Sequence, residues 1–508
     1  MEAPFLLNLS YMLMYYLRIS SIFHGQHVKP IRQVMKTSTI LHLGLGAFHR
    51  AHQAAYLQAL HDSGDTRWRM VSANIRPDPN DPAAALRAQG CRYTLETISP
   101  DGARRHAVIS ALDDALPYVP GLQEVVALGA ASGTRIVSFT VTEAGYFLGD
   151  GDELDLSSAA LREALADARA GRAGSSIYSV LTAILRARRA AHGMPLTLLC
   201  CDNLRHNGRR VQRGLQQFLA LAGDDALAAW AERNTSLPNC MVDRITPRPT
   251  QEVQDRVRAA TGREDPLAVS CEAYLQWVIE DDFCNGRPAW ERVGAELVDA
   301  VEPYEEAKIR ILNASHSAIA WAGALADYQY IHEALRDARI HTAVHAYITG
   351  AVFDCLRPSP IALEHYRDQV LARFGGDAMR DTVERVLADS FAKLTGFIVP
   401  TIRERIARGL PLENVALLPA LFLQMLLRWQ RGELATPYHD QSRDPAVVRA
   451  ICAAQDRVAA FCAQPVFWAE LAGHPELLRA VRDAMPAATA MTSRPPPALE
   501  PVRAPQTA

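Results

Sequence analysis

Lys308, Asn313 and His316 are the residues whose types and spacing point most directly to chemistry. They lie in a stretch that reads as the start of a helix, because Pro303 suits the first turn and the acidic residues behind it complement the positive end of the helix dipole. At about 100° per residue, Asn313 lies about 140° and His316 about 80° around the helix from Lys308. On that shared face an amine, an amide and an imidazole could bind an alcohol oxygen and remove its proton. The alternative is an exposed lysine beside two residues with ordinary structural bonds.

A pair of glycines follows the first predicted strand, within the segment from Leu41 to His52. Glycines at such a turn let the backbone approach a pyrophosphate closely, with helix N–H groups facing the anion. His49 stands where the third glycine of a G-x-G-x-x-G pattern is expected, so an ordinary strand-to-helix connection remains an alternative. The residues predicted to contact a dinucleotide here are Gly44, Leu45, Gly46, Ala47 and Phe48.

Polar residues also follow two further predicted strands. Asp78, behind the second strand, is predicted to bind a ribose hydroxyl, although it lies further from the glycine pair than usual. Arg76 beside it could instead accept a 2′-phosphate, so the pattern favours NAD over NADP only modestly. Thr142 and Glu143 end another strand and are predicted cofactor contacts, with a structural turn as the alternative.

One later segment repeats this arrangement. Asn203 follows a strand directly, in the run from Cys201 to Gly208, and this run is predicted to end at the edge of the sheet where ligands bind. Further on, Asp243 and Arg244 form a buried-looking pair, which could be a structural salt bridge.

The first half of the chain alternates strand-like and helix-like patterns, which predicts a parallel sheet covered by helices. The predicted strands are Thr39–Leu43, Arg69–Ala73, Arg135–Val141 and Leu196–Cys200. The predicted helices between them include His52–His61, Gly121–Leu128 and Ile177–Ala191. We therefore expect a Rossmann-like, NAD-binding α/β domain over residues 35–298.

Behind Pro303 the pattern changes to long amphipathic segments, which predicts an all-α domain over residues 299–484. The predicted helices are Tyr304–Ala324, Ile340–Cys355, Asp377–Leu394, Leu417–Arg431 and Pro445–Cys462. Lys308 lies on the first of these helices and is expected to face the nucleotide-binding domain. Clefts between domains are common binding sites, so this domain is predicted to bind the substrate and carry out catalysis.

Both ends of the chain are predicted to lie outside the folded part. The segment from Pro4 to Leu17 is apolar but too short to span a membrane, and it lacks the charged start of a signal peptide. We expect the folded sequence to begin at Met35 and interpret residues 1–34 as a non-native or disordered extension. From Met485 to Ala508 the chain is rich in Pro, Ala, Ser and Thr, which predicts a disordered tail.

Composition excludes several classes of protein. With 49% hydrophobic and 21% charged residues, the chain is typical of a globular protein with a large core, and its net charge of -3 gives no basic footprint for nucleic acid or anionic lipid. The nine cysteines are scattered except for Cys200 and Cys201, which indicates reduced thiols of a cytoplasmic protein. The spacing of His49 and His52 could suggest a metal pair, but no second cluster completes a site. We expect structural histidines and no metal.

Several of these motifs, taken together and in this order, resemble the mannitol dehydrogenase family of polyol-specific long-chain dehydrogenases. They are the Gly-x-Gly-x-Phe-His-Arg-Ala-His turn, Thr-Val-Thr-Glu, Cys-Asp-Asn, Met-Val-Asp-Arg-Ile-Thr-Pro and Lys-(x4)-Asn-(x2)-His. Within the family, Tyr93–Pro100 and Pro303–Trp321 most resemble members that oxidise D-arabinitol. The resemblance covers nearly all of residues 37–480 and implies an NAD-dependent sugar-alcohol dehydrogenase that needs no metal.

The resemblance also implies roles for individual residues. Lys308 would be the general base, with Asn313 and His316 binding or polarising the reacting oxygen. Asn203 would help to hold that oxygen, and Asp243 would bind another hydroxyl. Two basic residues eight positions apart on a late helix, Arg385 and Lys393, would bind distal hydroxyls, with a solvated helix face as the alternative. Glu305, one turn before Lys308, could relay the proton to solvent or serve only the helix dipole.

Three alternatives remain open at this stage. Within the same family the substrate could be D-mannitol or a hexuronate, whose carboxylate would need a cationic partner. A second class is a protein that senses NAD without turnover. A third is a metal-dependent hydrolase, which has only His49 and His52 in its favour. We expect a small-molecule polyol as the partner and no nucleic acid or membrane, and the family resemblance suggests a monomer.

Overall fold

The six-stranded parallel sheet is the framework of the first half of the protein. The computed structural model describes residues 37–378, 380–440 and 444–493, so the predicted extension over residues 1–34 lies outside the described residues. The strands of the sheet are β1 Ser38–Leu43, β2 Trp68–Ala73, β5 Leu112–Leu116, β6 Thr134–Phe139, β7 Leu196–Cys200 and β8 Thr235–Ser236. Neighbouring strands follow the order β5-β2-β1-β6-β7-β8, and every pair is parallel. The four predicted strands are confirmed to within two residues, and the order is that of a Rossmann-like sheet.

Both faces of this sheet are buried. Leu41, Val137 and Leu198 point into the core on one face, and their neighbours Ile40 and Ile136 point into the core on the other face. Successive side chains of a strand alternate between faces, so a strand covered on both sides has to be apolar throughout. This explains why these strands appear in the sequence as continuous hydrophobic runs.

Two three-stranded sheets, absent from the sequence prediction, flank the large one. They contain β3 Tyr93–Ile98, β4 Arg104–Ile109 and β10 Val269–Glu272 in one sheet, and β9 Cys240–Asp243, β11 Gln276–Glu280 and β12 Glu296–Val298 in the other. Both mix parallel and antiparallel pairs. Short strands with charged or mixed faces carry little period-two signal, so sequence pattern alone does not reveal them.

Helices cover the large sheet, and the three predicted helices of this region are confirmed with small shifts at their ends. The helices before residue 300 are Ala47–Ala51, Gln53–Asp62, Ala83–Ala88, Gln123–Ala130, Ala159–Arg169, Ile177–Ala191, Asn207–Ala222, Asp225–Asn234 and Gln251–Thr261. Short 3₁₀ turns lie at Glu143–Tyr146, Asp150–Asp152 and Trp290–Val293.

The second half is mostly helical, as predicted, and packs around its own apolar core. Its α-helices are Glu302–Ala307, Ala314–Leu325, Ile331–Arg336, Ala338–Tyr347, Phe353–Leu356, Leu363–Gly375, Val383–Leu387, Ser390–Lys393, Val399–Ala407, Glu413–Gln430, Pro445–Ala453, Arg457–Cys462, Pro465–Trp468 and Pro475–Ala490. π-helical segments join some of them, at Lys308–Asn313, Ile348–Val352 and Leu394–Ile398, and a 3₁₀ turn lies at Ala469–Leu471. Within the described part of the chain, every helix lacks the length or the apolar character needed to cross a membrane.

Two helix predictions in this half, and the start of the predicted tail, need correction. The predicted helix Asp377–Leu394 is broken into Val383–Leu387 and Ser390–Lys393, with Asp389 between them in the left-handed region. The segment Pro445–Cys462 forms two helices, because Asp456 caps a new one. The first residues of the predicted tail, 485–490, are helical because they continue the helix Pro475–Ala490; the tail beyond Ser493 lies outside the described residues.

Candidate active site

A cavity of about 190 Å³ lies where the ends of β6, β7 and β9 meet the helix over residues 302–325. Its polar lining residues are Glu143, Asp202, Asn203, Arg205, Arg210, Glu305, Lys308 and Asn313. Its apolar part includes Cys240, Met241, Ile309 and Phe397. The cavity is therefore built from both halves of the protein, at the carboxyl edge of the sheet where ligands bind in such folds.

Lys308 brings its amine into this cavity from the helical side. Its side chain is buried, with 7% of the residue exposed. Nζ donates to Asn203 Oδ1 at 2.7 Å and to the carbonyl oxygen of Val242 at 2.7 Å. Burial lowers the pKa of the amine, against the opposing effect of Asp243. An amine held in this way is suited to accept a proton from a ligand.

A π-helical turn determines how Asn313 relates to Lys308. Residues 308–313 form this turn between two α-helical segments. In π geometry a residue bonds to the one five positions away, so the turn is wider and Asn313 lies closer to the face of Lys308 than the roughly 140° expected for a regular α-helix. The structure accordingly brings both side chains to one cavity, and the angle predicted for a regular α-helix is wrong. π turns of this kind are frequent at functional sites.

His316 lies outside this cavity, in a second group of polar side chains that we call the Asp381 cluster. Its ring stacks on Phe374 with centroids 4.5 Å apart, and Nε2 is 3.0 Å from Asp381 Oδ2. Arg385 also donates to Asp381, at 2.6 and 2.7 Å, and Lys393 donates to the carbonyl of Val386 at 2.8 Å. The structure thus places His316, Arg385 and Lys393 together in one cluster, and this cluster is separate from the cavity that contains the amine of Lys308.

Burial tunes the charges of the Asp381 cluster. It lowers the pKa of His316, and it lowers the pKa of Lys393 to about 8. Burial alone would raise the pKa of Asp381, but His316 and Arg385 hold it well below its usual range. The cluster therefore combines a carboxylate with an arginine beside a neutral imidazole at neutral pH.

Asp243 forms a buried salt bridge, but with a different arginine from the one predicted. Its carboxylate accepts from Arg373 at 2.8 and 3.0 Å. Arg244 instead donates to the backbone carbonyls of Glu272 and Ala51. Burial alone would raise the pKa of Asp243, but Arg373 keeps it below its usual range. The sequence could not reveal this pair, since 130 positions separate its members.

Glu305 is buried at the cavity rather than exposed at the start of the helix. Only 5% of the residue is exposed, and both carboxylate oxygens accept from the backbone N–H of His206 at 3.2 Å. Burial raises the pKa of Glu305 to about 7. The carboxyl group can therefore take up and release a proton near neutral pH.

The predicted glycine turn lies between β1 and the helix Ala47–Ala51, next to β6. Gly44 has a φ of +110°, and a Cβ there would come 2.1 Å from the carbonyl oxygen of Thr140. Gly46 is exposed, and a Cβ there would meet nothing within 4 Å. The N–H of Leu45 donates to Asn74 at the end of β2. The turn thus needs one glycine for its own geometry, while the other faces open space.

The remaining two residues of the predicted cofactor turn, Ala47 and Phe48, are half-buried at the start of the helix. The ring of Phe48 stacks on His52, with centroids 5.0 Å apart. His49, in place of a third glycine, stacks on His42 at 3.5 Å and bonds to Ser72 at 2.8 Å. His52 bonds to the carbonyl of Gln276 at 2.9 Å. The two histidines that could suggest a metal pair therefore each bond to a different protein group.

Within the described ranges, no group of three or more His, Cys, Asp or Glu side chains is arranged to hold a metal ion. The nine cysteines, all within the described ranges, are free thiols, and six of them are buried.

Thr142 and Glu143 lie just after β6, in a turn that the carboxylate of Asp202 holds in place. The N–H groups of Val141 and Thr142 donate to Asp202 at 2.8 and 3.2 Å, and the hydroxyl of Tyr146 donates to it at 2.5 Å. Asp202 follows β7 and so joins the ends of two adjacent strands. Glu143 then lies at the cavity wall.

Asp78 and Arg76 follow β2 on an exposed turn. Asp78 accepts from the N–H of Asn80 at 2.8 Å, which stabilises the turn itself. Arg76 donates to the carbonyl of Val141 at 3.1 Å and lines a second cavity of about 170 Å³ with Gly145. Both residues are at the strand end where a ribose would bind in this fold.

Four residues with clear structural roles at the site have no role predicted from sequence: Asn74, Asp202, Arg373 and Asp381. A local signal existed for two of them, because Asn74 and Asp202 follow β2 and β7 almost directly. Arg373 and Asp381 lie in helical or irregular segments whose partners are distant in sequence.

Residues 38–292 match the family model described as mannitol dehydrogenase Rossmann domain, and residues 300–489 match that of the mannitol dehydrogenase C-terminal domain. The chain is 50% identical over 449 residues to a D-arabinitol 4-dehydrogenase of Ralstonia nicotianae, which covers 88% of this chain and 96% of the relative. A D-arabinitol 4-dehydrogenase of Klebsiella pneumoniae is 45% identical, with 88% and 97% covered.

A solved structure of the same kind is that of Pseudomonas fluorescens mannitol 2-dehydrogenase, in a ternary complex with NAD and D-mannitol. It superposes with a TM-score of 0.77 at 32% identity, over 90% of this chain and 94% of that one.

Proposed function

This chain belongs to the mannitol dehydrogenase family and is a polyol oxidoreductase, and we propose that it oxidises a secondary hydroxyl of D-arabinitol to the ketose D-xylulose with NAD. The proposed general base is Lys308. The observation that supports this role most directly is its buried amine, which two acceptors hold at the wall of a cavity.

D-arabinitol is favoured over other polyols by similarity to relatives. Two relatives named D-arabinitol 4-dehydrogenase match nearly the whole described chain, at higher identity than relatives named mannitol 2-dehydrogenase, which match at 34–36%. D-mannitol is therefore the second candidate substrate.

The glycine turn and the end of β2 fit a dinucleotide. Gly46 leaves open space where a phosphate group could approach the backbone, and Arg76 lines a cavity with Val141 and Gly145, just after β6. Gly44, Leu45, Gly46, Ala47 and Phe48 would contact NAD, together with Asp78, Thr142 and Glu143. A related protein is named as an NADP-dependent polyol oxidoreductase, so the choice of cofactor is part of the proposal. When bound, NAD would supply the hydride acceptor.

In the proposed reaction Lys308, in its neutral form, takes the proton of the reacting hydroxyl. A free lysine, with a pKa of about 10.4, is protonated at neutral pH, and burial shifts the equilibrium toward the neutral amine. Asn203 and Asn313 would hold the oxygen as negative charge develops on it, in the manner of an oxyanion hole. Glu305, on the same wall, would pass the proton from Lys308 toward solvent.

Two residues of the Asp381 cluster, Arg385 and Lys393, would bind distal hydroxyls of the substrate, and Asp243 would bind another hydroxyl through a free lone pair. His316, the third residue of the cluster, would polarise the reacting oxygen, which requires its ring to turn away from Asp381.

The base role is tested with Lys308→Ala. Loss of a general base lowers the rate by about 10²–10⁴-fold, so kcat should fall at least a hundredfold while NAD still binds. The assay follows NADH absorbance and, separately, NAD binding by calorimetry. A variant that keeps most of its turnover excludes Lys308 as the base.

The substrate is tested with a panel on the wild-type protein. D-arabinitol, D-mannitol and a hexuronate are compared with NAD(H) and with NADP(H), and we expect the highest kcat/KM for D-arabinitol with NAD. A higher kcat/KM for D-mannitol or a hexuronate would replace D-arabinitol in the proposal. If NAD binds but none of the three turns over, the proposal of D-arabinitol as substrate is overturned.

A further inference from the structure

Arg373 is the most completely bonded buried charge near the candidate site. Its side chain is 5% exposed. It donates twice to Asp243, as described above, and twice to Glu272, at 2.9 and 2.7 Å. Its guanidinium also lies over the ring of Tyr274, 4.0 Å from the centroid. One cation therefore joins two carboxylates and an aromatic ring, an arrangement for which only the planar arginine fork is suited.

This group links the two halves of the protein next to Lys308. Arg373 belongs to the helix Leu363–Gly375, whereas Asp243 ends β9 and Glu272 ends β10. The residue before Asp243 is Val242, whose carbonyl accepts from Lys308 Nζ. The position of that carbonyl thus depends on a strand end that Arg373 ties to the helical half.

The salt bridge between Arg373 and Asp243 also affects the pKa of Lys308. The groups that act on its amine are Asp243, Arg373, Glu305, Cys240 and His52. Asp243 raises the pKa of the amine and Arg373 lowers it. Removing Arg373 would leave two buried carboxylates without their cation, which is strongly unfavourable.

We propose that Arg373 is a positioning residue for Lys308: it holds the Asp243 strand end so that the Val242 carbonyl fixes the amine at the reacting oxygen. The inference rests on the proposed role of Lys308 as base. It assigns to Arg373 no contact with substrate or cofactor.

The test compares Arg373→Met with Arg373→Lys. R373M removes the charge and all four bonds, so we expect kcat for polyol oxidation to fall about a hundredfold, the loss that a displacement of about 1 Å can cause. The rising limb on the acidic side of the kcat/KM pH profile should also move to higher pH, because a cation that lowers the pKa of Lys308 is gone. R373K keeps the charge but cannot reproduce the fork, so kcat should fall while the limb stays in place.

Arg405→Met is the matched control. Arg405 is also a buried arginine, 1% exposed, but it bonds to Pro411, Ala351 and Asp354 within the helical half. R405M should lose stability as well, yet per folded molecule it should keep the native kcat and pH profile. This separates positioning from a general loss of packing.

The inference is overturned if R373M has the native kcat and pH profile, or if R405M shows the same changes as R373M. Where R373M yields no folded protein, R373K decides, and a native kcat in that variant overturns the inference. The proposed base role fails separately, through an active K308A. An inactive K308A combined with a native R373M therefore refutes only the positioning role.

Discussion

At the scale of single residues, the protonation state of one buried amine determines whether the proposed chemistry is possible. Lys308 has two acceptors, and neither is a carboxylate that would hold the ammonium form strongly. The nearby carboxylate of Asp243 is paired with Arg373, which partly offsets its effect on the amine. Burial can therefore shift the amine toward its neutral form.

The pH dependence of turnover follows from this shift. The base must be deprotonated, so kcat/KM for polyol oxidation should rise with pH and level off above an apparent pKa that lies below the ordinary lysine value of 10.5. Lys308→Arg should abolish turnover at all pH values, since arginine stays protonated. A pH–rate profile from pH 6 to about 10.5 measures both. A wild-type rate independent of pH would contradict the assignment.

A second residue-scale prediction concerns His52. Burial lowers its pKa to about 3, below the unfolded value of 6.5, so the unfolded chain binds more protons between these values. The stability contributed by neutral His52 is therefore complete above pH 6.5 and is lost as pH falls toward 3.

His52→Gln should reduce the loss of unfolding free energy between pH 6.5 and 4, because glutamine does not titrate. Urea unfolding at a series of pH values measures this. His61→Gln is the control, since His61 is a partly exposed histidine near the end of the same helix. An equal effect of both substitutions would show that burial of His52 is not the cause.

At the scale of elements, the local geometry of turns decides which side chains meet. A single π-helical turn brings Asn313 to the cavity of Lys308. The broken helix before Leu394 lets the segment Leu394–Ile398 bring Phe397 to the same cavity. Both irregularities are stabilised by packing in the helical core, which propensity does not report.

The glycine turn yields a prediction at this scale. Gly44→Ala should destabilise the fold by more than about 1 kcal/mol, because its φ is positive and the new Cβ would clash with Thr140. Gly46→Ala should leave the unfolding free energy unchanged, because its Cβ would meet open space, but it should weaken NAD binding. Denaturant unfolding and an NAD titration of both variants provide the measurements. Normal NAD affinity in G46A would argue against a phosphate at this turn.

At the scale of the whole molecule, the candidate site belongs to neither half alone. The cavity wall combines Asn203 and Val242 from the sheet side with Lys308 and Asn313 from the helical side. The salt bridges of Arg373 to Asp243 and Glu272 also join the two halves of the protein. A ligand in this cavity would contact both halves and so favour their docked arrangement.

Ligand binding should therefore stabilise the molecule as a unit. With NAD and polyol at 100 times their dissociation constants, each bound ligand should add about 2.7 kcal/mol to the free energy of unfolding. Thermal unfolding should show one transition that moves to higher temperature. Two transitions, of which only one responds to the polyol, would contradict a cavity shared by both halves.

The family and the framework could be predicted from sequence because their signals are local. Buried parallel strands are apolar throughout, as in Leu196–Cys200, and amphipathic helices repeat every 3.6 residues, as in Ile177–Ala191. The mannitol dehydrogenase resemblance is confirmed by the matched family models. The small sheets were missed because their strands are short and partly polar.

Near neighbours along the chain are enough to predict the parallel sheet, the helical second half and the residues able to do chemistry. Which of those residues meet depends instead on contacts between distant parts of the chain. Lys308 finds its acceptors in Asn203 and Val242, more than 60 positions away, while His316 turns toward Asp381. Such pairings follow from how the two halves pack, and no periodicity along the chain encodes them.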